Sequence, residues 1–230
     1  MTVGRPLRTF GRTGGRALSA RQQALIDGAL PKLAVPNADD GTLDPLSLFS
    51  DDISDVWLEI GFGGGEHMTG QAARRRDTGF IGCEPFIEGM AKALGQIDDA
   101  GLTNIRLHMD DARPVIERLT ADSVAQVFIL FPDPWPKKRQ QKRRLIQPAF
   151  LDRLARIVRP GGRVRFATDV RSYADEALYH FTAHGAYRWT ATRAADWRVA
   201  PPDHLTTRYE AKALGDCAPV WFDFEVLAPD

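Results

Sequence analysis

Val56-Trp-Leu-Glu-Ile60-Gly61-Phe-Gly63-Gly-Gly65-Glu66 sets a short apolar run directly before a loop built almost entirely of glycine. The run is rich in branched and aromatic side chains, which reads as a buried strand. Glycines let the backbone turn sharply and let a ligand come closer than a Cβ allows. A helix starting at Glu66 leaves its first N–H groups free to face an anion. Strand, glycine turn and helix open a nucleotide-binding α/β unit, although a glycine turn alone also serves as an ordinary tight bend.

Working outward, strands alternate with helices, which predicts an α/β fold with a parallel sheet covered on both faces. A helix is expected from Glu66 to about Arg76, a strand over Gly79–Cys83, and a helix through Phe86, Met90, Leu94 and Ile97. Asn104–Met109 reads as the third strand, with a short helix over Val115–Leu119 after Pro114, and Val124–Leu130 as the fourth. Phe150, Leu151, Leu154, Ile157 and Val158 recur at helical spacing, and Arg159-Pro-Gly-Gly162 should end that helix. Arg163–Ala167 is a fifth strand, and Ser172 is placed to cap a helix reaching Ala183. Two strands follow, around 187–192 and 220–227. The loop from Ala194 to Asp216 between them is too long to be a mere connection.

Acids stand at successive strand ends. Glu59 closes the first strand, and Glu84 closes the second a little over twenty residues on, where an acid binds the ribose hydroxyls of an adenosine-containing cofactor. Asp111 follows the third and is placed to reach the adenine edge, with Asp110 as its competitor and helix capping as the alternative role. The fourth strand runs into Phe131-Pro-Asp-Pro-Trp-Pro-Lys-Lys-Arg-Gln-Gln-Lys-Arg-Arg144. Three prolines stiffen this turn, which holds Asp133 and Trp135. Six positive charges then fall between Lys137 and Arg144. A carboxylate beside an aromatic can grip a nucleobase, and a dense basic run attracts a phosphate backbone; Trp135 would stack on a base or pack the turn onto the core.

At 230 residues with no net charge, the chain offers one sizeable core and no global pull on a polyanion. Charge is segregated instead. Arg5, Arg8, Arg12, Arg16 and Arg21 precede the first acid, and Asp39, Asp40, Asp44, Asp51, Asp52 and Asp55 follow one another with no base between. Residues 1–50 are therefore expected to form a basic, partly disordered arm with a short helix capped by Ser19, ended by Pro31 and Pro36, and then an acidic connector; residues 51–230 form the main domain. Cys83 and Cys217 read as reduced thiols outside any metal-spaced cluster, and the five histidines as surface or satisfied core residues. No metal and no membrane span are expected. The Arg-rich start fits a mobile arm in a cytoplasmic protein, with a mitochondrial transit peptide as the alternative.

The glycine spacing differs from the dinucleotide fingerprint G-x-G-x-x-G. Glu-x-Gly-x-Gly-x-Gly resembles motif I of the Rossmann-like S-adenosylmethionine methyltransferases. LEIGFGGG (58–65), IGCEP (81–85), DDA (110–112), LFPDPWPKKR (130–139), ATD (167–169) and TRYE (207–210) stand in the order found in bacterial tRNA (guanine-N7-)-methyltransferases, which the chain closely resembles from about Trp57 to Glu225.

That resemblance implies a Rossmann-like methyltransferase fold with a seven-stranded, mostly parallel sheet whose last strand is antiparallel. It implies S-adenosylmethionine as cofactor, bound by Glu59, Gly61, Gly63, Gly65, Glu84, Asp111 and Asp133, with Asp133 also catalytic. Lys137, Asp169, Thr207, Arg208, Tyr209 and Glu210 would contact substrate, and Arg139, Lys142, Arg143 and Arg144 would face RNA. The implied product is 7-methylguanosine at position 46 in the variable loop of tRNA, made by a monomer or homodimer. Two other readings stay open: methylation of an amino group on another RNA base, and a non-catalytic RNA-binding protein that uses the cofactor as a ligand.

Overall fold

The computed structural model describes residues 17–36 and 41–229. The Arg-rich start up to residue 16, and Asp39 and Asp40, lie outside the described residues. Seven strands form one sheet: β1 (Asp55–Ile60), β2 (Thr78–Cys83), β3 (Ile105–His108), β4 (Val124–Leu130), β5 (Val158–Thr168), β6 (Tyr187–Trp189) and β7 (Val220–Val226), in the order β3-β2-β1-β4-β5-β7-β6. The first five are parallel, and β7 runs antiparallel between β5 and β6. Strand order reverses between β1 and β4, which are hydrogen-bonded neighbours with Leu58 beside Val127. Connections leave these two strands in opposite directions and open a crevice beyond their carboxyl ends.

Strict alternation sorts side chains to the two faces. Val56, Leu58 and Ile60 point to the face covered by α5 (Ala112–Arg118), α6 (Pro148–Ile157) and α7 (Arg171–Ala183). Trp57 points the other way, against Phe80 and Phe128. That second face is covered by α3 (Glu66–Arg74) and α4 (Ile87–Ala100), whose Met68, Met90, Leu94 and Ile97 are buried. On α6, Phe150, Leu151, Leu154 and Ile157 are all buried, contributing roughly 2 kcal/mol each.

Several boundaries differ from the sequence expectation. Ser19 caps α1 (Ala20–Gly28) in a reciprocal capping box with Gln22. Pro31, however, does not end the helical segment: it sits in the first turn of α2 (Leu30–Leu33), where the missing N–H costs nothing. Leu25, Ile26, Leu30 and Leu33 pack on the α3/α4 core, and Val35 donates to Leu107 O, so this segment seals the β3 edge. Leu43 bridges to Leu119, and Pro45–Leu48 forms a 3-10 turn, so the described part of the acidic connector is also docked. Pro114 lies inside the first turn of α5 rather than ahead of it. Arg159-Pro-Gly-Gly162 is not a helix terminus: α6 stops at Ile157, and β5 begins at once with a bulge, pairing Val124 with Val158 and then Gln126 with Arg163. Ser172 does not cap α7; that helix starts at Arg171 behind Val170, which leaves the Ser172 hydroxyl for another partner.

Candidate active site

The β1–α3 loop folds back over its own strand end. Gly61, Gly63 and Gly65 have φ of 72°, 57° and 85°, the left-handed region that side chains avoid. A Cβ at Gly61 or Gly63 would point into open space, whereas one at Gly65 would meet Ala93 Cβ at 2.6 Å. Glu84, at the end of neighbouring β2, braces the loop: Gly63 N donates to one carboxylate oxygen (2.8 Å) and Phe86 N to the other (2.9 Å). Burial pushes this carboxyl up, against the pull of those two donors, and the nearby Asp133 adds to the rise. Each oxygen keeps a second lone pair for a hydroxyl donor. The α4 helix closes the loop from below through Gly89, where a Cβ would stand 2.2 Å from Gly63 O. Nothing in the local pattern singles Gly89 out, and it was missed in the sequence.

Asp111 and Asp110 separate. Asp111 lines the cleft, caps α5 by accepting from Arg113 N, and pairs with the Arg113 guanidinium. Asp110 instead accepts from Asp111 N on the exposed side. Glu59 is buried and pairs with His67, the second residue of α3, Nδ1 to Oε2 2.7 Å. His67 Nε2 meets Gln71, which donates to the Asp203 carbonyl (2.7 Å). Asp203 in turn takes Arg165, which also grips Asp223 on β7. Burial alone would raise Asp203, but the guanidinium holds it low. This chain, unread in the sequence, ties the strand below the glycine loop to the long β6–β7 loop. The matching periodicity of His67 and Gln71 on α3 was its only available signal.

Across the crevice, the turn after β4 is bent at two non-glycine residues with positive φ, Phe131 (52°) and Trp135 (43°). Such strain persists only where surroundings over-determine it, and it clusters at functional sites. Phe131 N is held by Ala167 O at 2.8 Å. Asp133 projects into the cleft, and desolvation by the cleft walls raises its carboxyl above the ordinary range. Arg143 lies over the Trp135 ring at 5.0 Å. Tyr209 packs on Phe131, and its hydroxyl is raised by burial first and then by the nearby acids Asp169, itself buried, and Asp133.

In the β6–β7 loop, Thr207 and Glu210 bond reciprocally, each side chain to the other's backbone N–H, and His204 donates to the Glu210 carboxylate at 2.8 Å. Glu210 therefore shapes the loop, while Thr207, Arg208 and Tyr209 line the cleft. Lys137, Lys138, Arg139 and Lys142 are exposed. Arg144 corrects the sequence expectation: it does not face outward with the basic run but is buried, its side chain fully covered and paired with Glu176.

One cleft of about 790 Å³ joins these parts, lined among others by Glu59, Gly61, Gly63, Glu84, Asp111, Asp133, Trp135 and Tyr209. An open glycine cradle, free acceptor capacity on Glu84 and an acid across the gap suit a nucleoside bearing a cationic group. Among the described residues no cluster of His, Cys, Asp or Glu could hold a metal, and no helix is long and apolar enough to cross a membrane.

Comparison with known proteins follows the same lines. The antibiotic-resistance methyltransferase Kmr superposes with a TM-score of 0.57 at 16% identity, over 86% of this chain and 99% of that one, a likeness of fold. Residues 54–222 match the family described as "Putative methyltransferase". A tRNA (guanine-N(7)-)-methyltransferase of Hyphomonas neptunium is 54% identical over 220 residues, 96% of this chain and 100% of the relative. The protein of the same name from Caulobacter vibrioides is 50% identical over 219 residues, 95% of each chain. With half the residues shared along nearly its whole length, the chain belongs to the tRNA (guanine-N7)-methyltransferase family.

Proposed function

We propose that this protein transfers a methyl group from S-adenosylmethionine to N7 of guanine in tRNA, at position 46 of the variable loop, in the cytoplasm. The observation that carries this reading is the adjacency of β1 and β4, which sets the glycine cradle and Asp133 on the two walls of one cleft. The cofactor supplies an electrophilic methyl group on a positively charged sulfur. Gly61, Gly63, Gly65 and Glu84 would hold it, with Asp111 at the adenine edge and Glu59 beneath.

Guanine N7 carries an exposed lone pair, so no base has to remove a proton before attack. The protein's task is alignment and charge. Holding both reactants in line converts an encounter into a positioned step. Positive charge moves onto the purine during transfer, and the Asp133 carboxylate favours that shift more strongly in the transition state than before it. Two unit charges about 4 Å apart at an effective dielectric near 20 interact by roughly 4 kcal/mol, an upper scale for the benefit. Asp133 also offers acceptors to the guanine N1–H and amino group, which adenine cannot satisfy in the same way. Asp169, Thr207, Arg208 and Tyr209 would position the nucleotide, and Lys137, Arg139, Lys142 and Arg143 would meet phosphates.

Incubation with bulk tRNA and labelled S-adenosylmethionine, followed by nucleoside identification, tests the reading. The expected product is 7-methylguanosine, mapped to position 46. An N-methylated adenine or guanine supports the amino-methylating alternative, and no transfer with cofactor still bound supports a binding protein.

A further inference from the structure

Arg144 closes the basic run in sequence yet leaves it in space. Its guanidinium makes four hydrogen bonds inside the protein. Nε donates to the Pro134 carbonyl (2.8 Å), Nη1 to Ser172 O (2.9 Å) and to the Glu176 carboxylate, and Nη2 to Ser172 Oγ (2.8 Å). The plane also lies over the Tyr173 ring at 4.8 Å. Four of its five N–H donors are used inside the protein, and the side chain has no exposed surface. With its side chain fully covered, the guanidinium gives a phosphate no access.

The Pro134 carbonyl belongs to the peptide that joins Pro134 to Trp135, one residue past Asp133 and inside the strained turn. The other partners of the Arg144 guanidinium, Ser172, Tyr173 and Glu176, are all on α7, the helix behind the cleft. The same helix turn holds the residues that follow: Leu145 N and Ile146 N both donate to the Tyr173 hydroxyl, at 3.0 and 3.3 Å, and Gln147 donates to Glu176. The segment is thus fastened at Phe131 by Ala167, at Pro134 by Arg144, and at 145–147 by α7. The 3-10 turn Lys138–Arg143 runs between these fixed points.

We infer that Arg144 is a positioning residue for methyl transfer: it locks the Asp133 turn to the first turns of α7 and takes no part in holding RNA. The inference rests on the methyl-transfer reading for its kinetic consequence, but its structural part can be read without catalysis. A lysine cannot reproduce the fork that reaches Pro134, Ser172 and Glu176 together.

The test compares Arg144→Lys, Ser172→Ala and Lys142→Ala. Arg144→Lys is expected to lower kcat at saturating tRNA at least tenfold, with tRNA Kd and the slope of log Kd against log salt unchanged. Lys142→Ala should instead weaken tRNA binding and reduce that slope by about one. Hydrogen exchange of a peptide spanning 131–143 should be faster in Arg144→Lys, with the glycine loop unaffected. Ser172→Ala removes one hydrogen bond at an exposed position and keeps the question open to test if Arg144→Lys does not fold; it should lower kcat two- to fivefold with tRNA Kd unchanged. A reduced salt slope with kcat intact in Arg144→Lys would overturn the inference, as would unchanged exchange over 131–143. Wild type that fails to methylate tRNA but shows the exchange difference would refute the function while leaving the anchor standing.

Discussion

The two walls of the cleft are built by different means. On the proposed cofactor side the working parts are backbone: left-handed glycines, two N–H groups on Glu84, and a helix glycine seated under the loop. On the proposed substrate side they are side chains on irregular segments, Asp133, Trp135, Arg208 and Tyr209, held in place by other side chains farther back. A backbone cradle is fixed by local chain geometry and sheet pairing. A side-chain clamp has to be fixed by long-range contacts, which is why strain appears at Phe131 and Trp135 and not in the non-glycine residues of the cradle. On the proposed reading, a wall that takes a common cofactor can be stiff, whereas a wall that reads a large folded RNA has to be shaped residue by residue.

The sharpest way to break the comparison is Asp133→Ala. Single-turnover methyl transfer should fall by about 10² to 10³-fold, while cofactor affinity, measured by titration calorimetry, changes only a few-fold; a larger loss of cofactor affinity than of rate would move Asp133 to the other wall. Next comes the cradle. Gly89→Ala drives a Cβ toward Gly63 O, a backbone atom that cannot swing aside, so cofactor affinity should drop at least tenfold and stability by about 1–3 kcal/mol. Gly63→Ala meets open space and should cost only about 1 kcal/mol in stability from its left-handed backbone.

The pH response sharpens the contrast further. Asp133 binds its proton more tightly in the folded protein than in the unfolded chain, because desolvation raises it. Between the ordinary Asp value, about 3.9, and the raised one, the native state holds the extra proton, so this carboxyl costs stability as pH rises through that window, and the cost persists above it. Asp133→Asn should therefore be at least as stable as wild type at neutral pH by thermal melting, with the difference shrinking in acid. The acid limb of kcat/KM should lie above 3.9 for the same reason. The smallest effect is expected at the rim, where Arg139→Ala should weaken tRNA binding only a few-fold and lower the salt slope by about one.

The split between the walls also explains what could be read from the chain alone. The succession of strands along the chain, the glycine cradle and Glu84 follow from periodicity and spacing, which are local properties, whereas the sheet arrangement comes from the family resemblance. Asp133 was legible because prolines and a buried strand frame it. Arg144 was not, because a sixth cation in a basic run looks like the five before it, and only α7, some thirty residues away, turns it inward. Glu210 and His67 hide in the same way, their partners being set by the fold. Ser172 reads as a cap because capping is a common local use of a serine, whereas here its hydroxyl serves a distant guanidinium.

The loop between β6 and β7 touches both sides of the sheet: Trp197 rests on Phe222, and His204 on Trp221, consecutive residues that face opposite ways. Its two ends are pinned by neighbouring antiparallel strands, Trp189 beside Phe224, so length can be added or removed in the span without disturbing strand pairing. A saddle of this kind lets a reactor keep its machinery while its reader is exchanged.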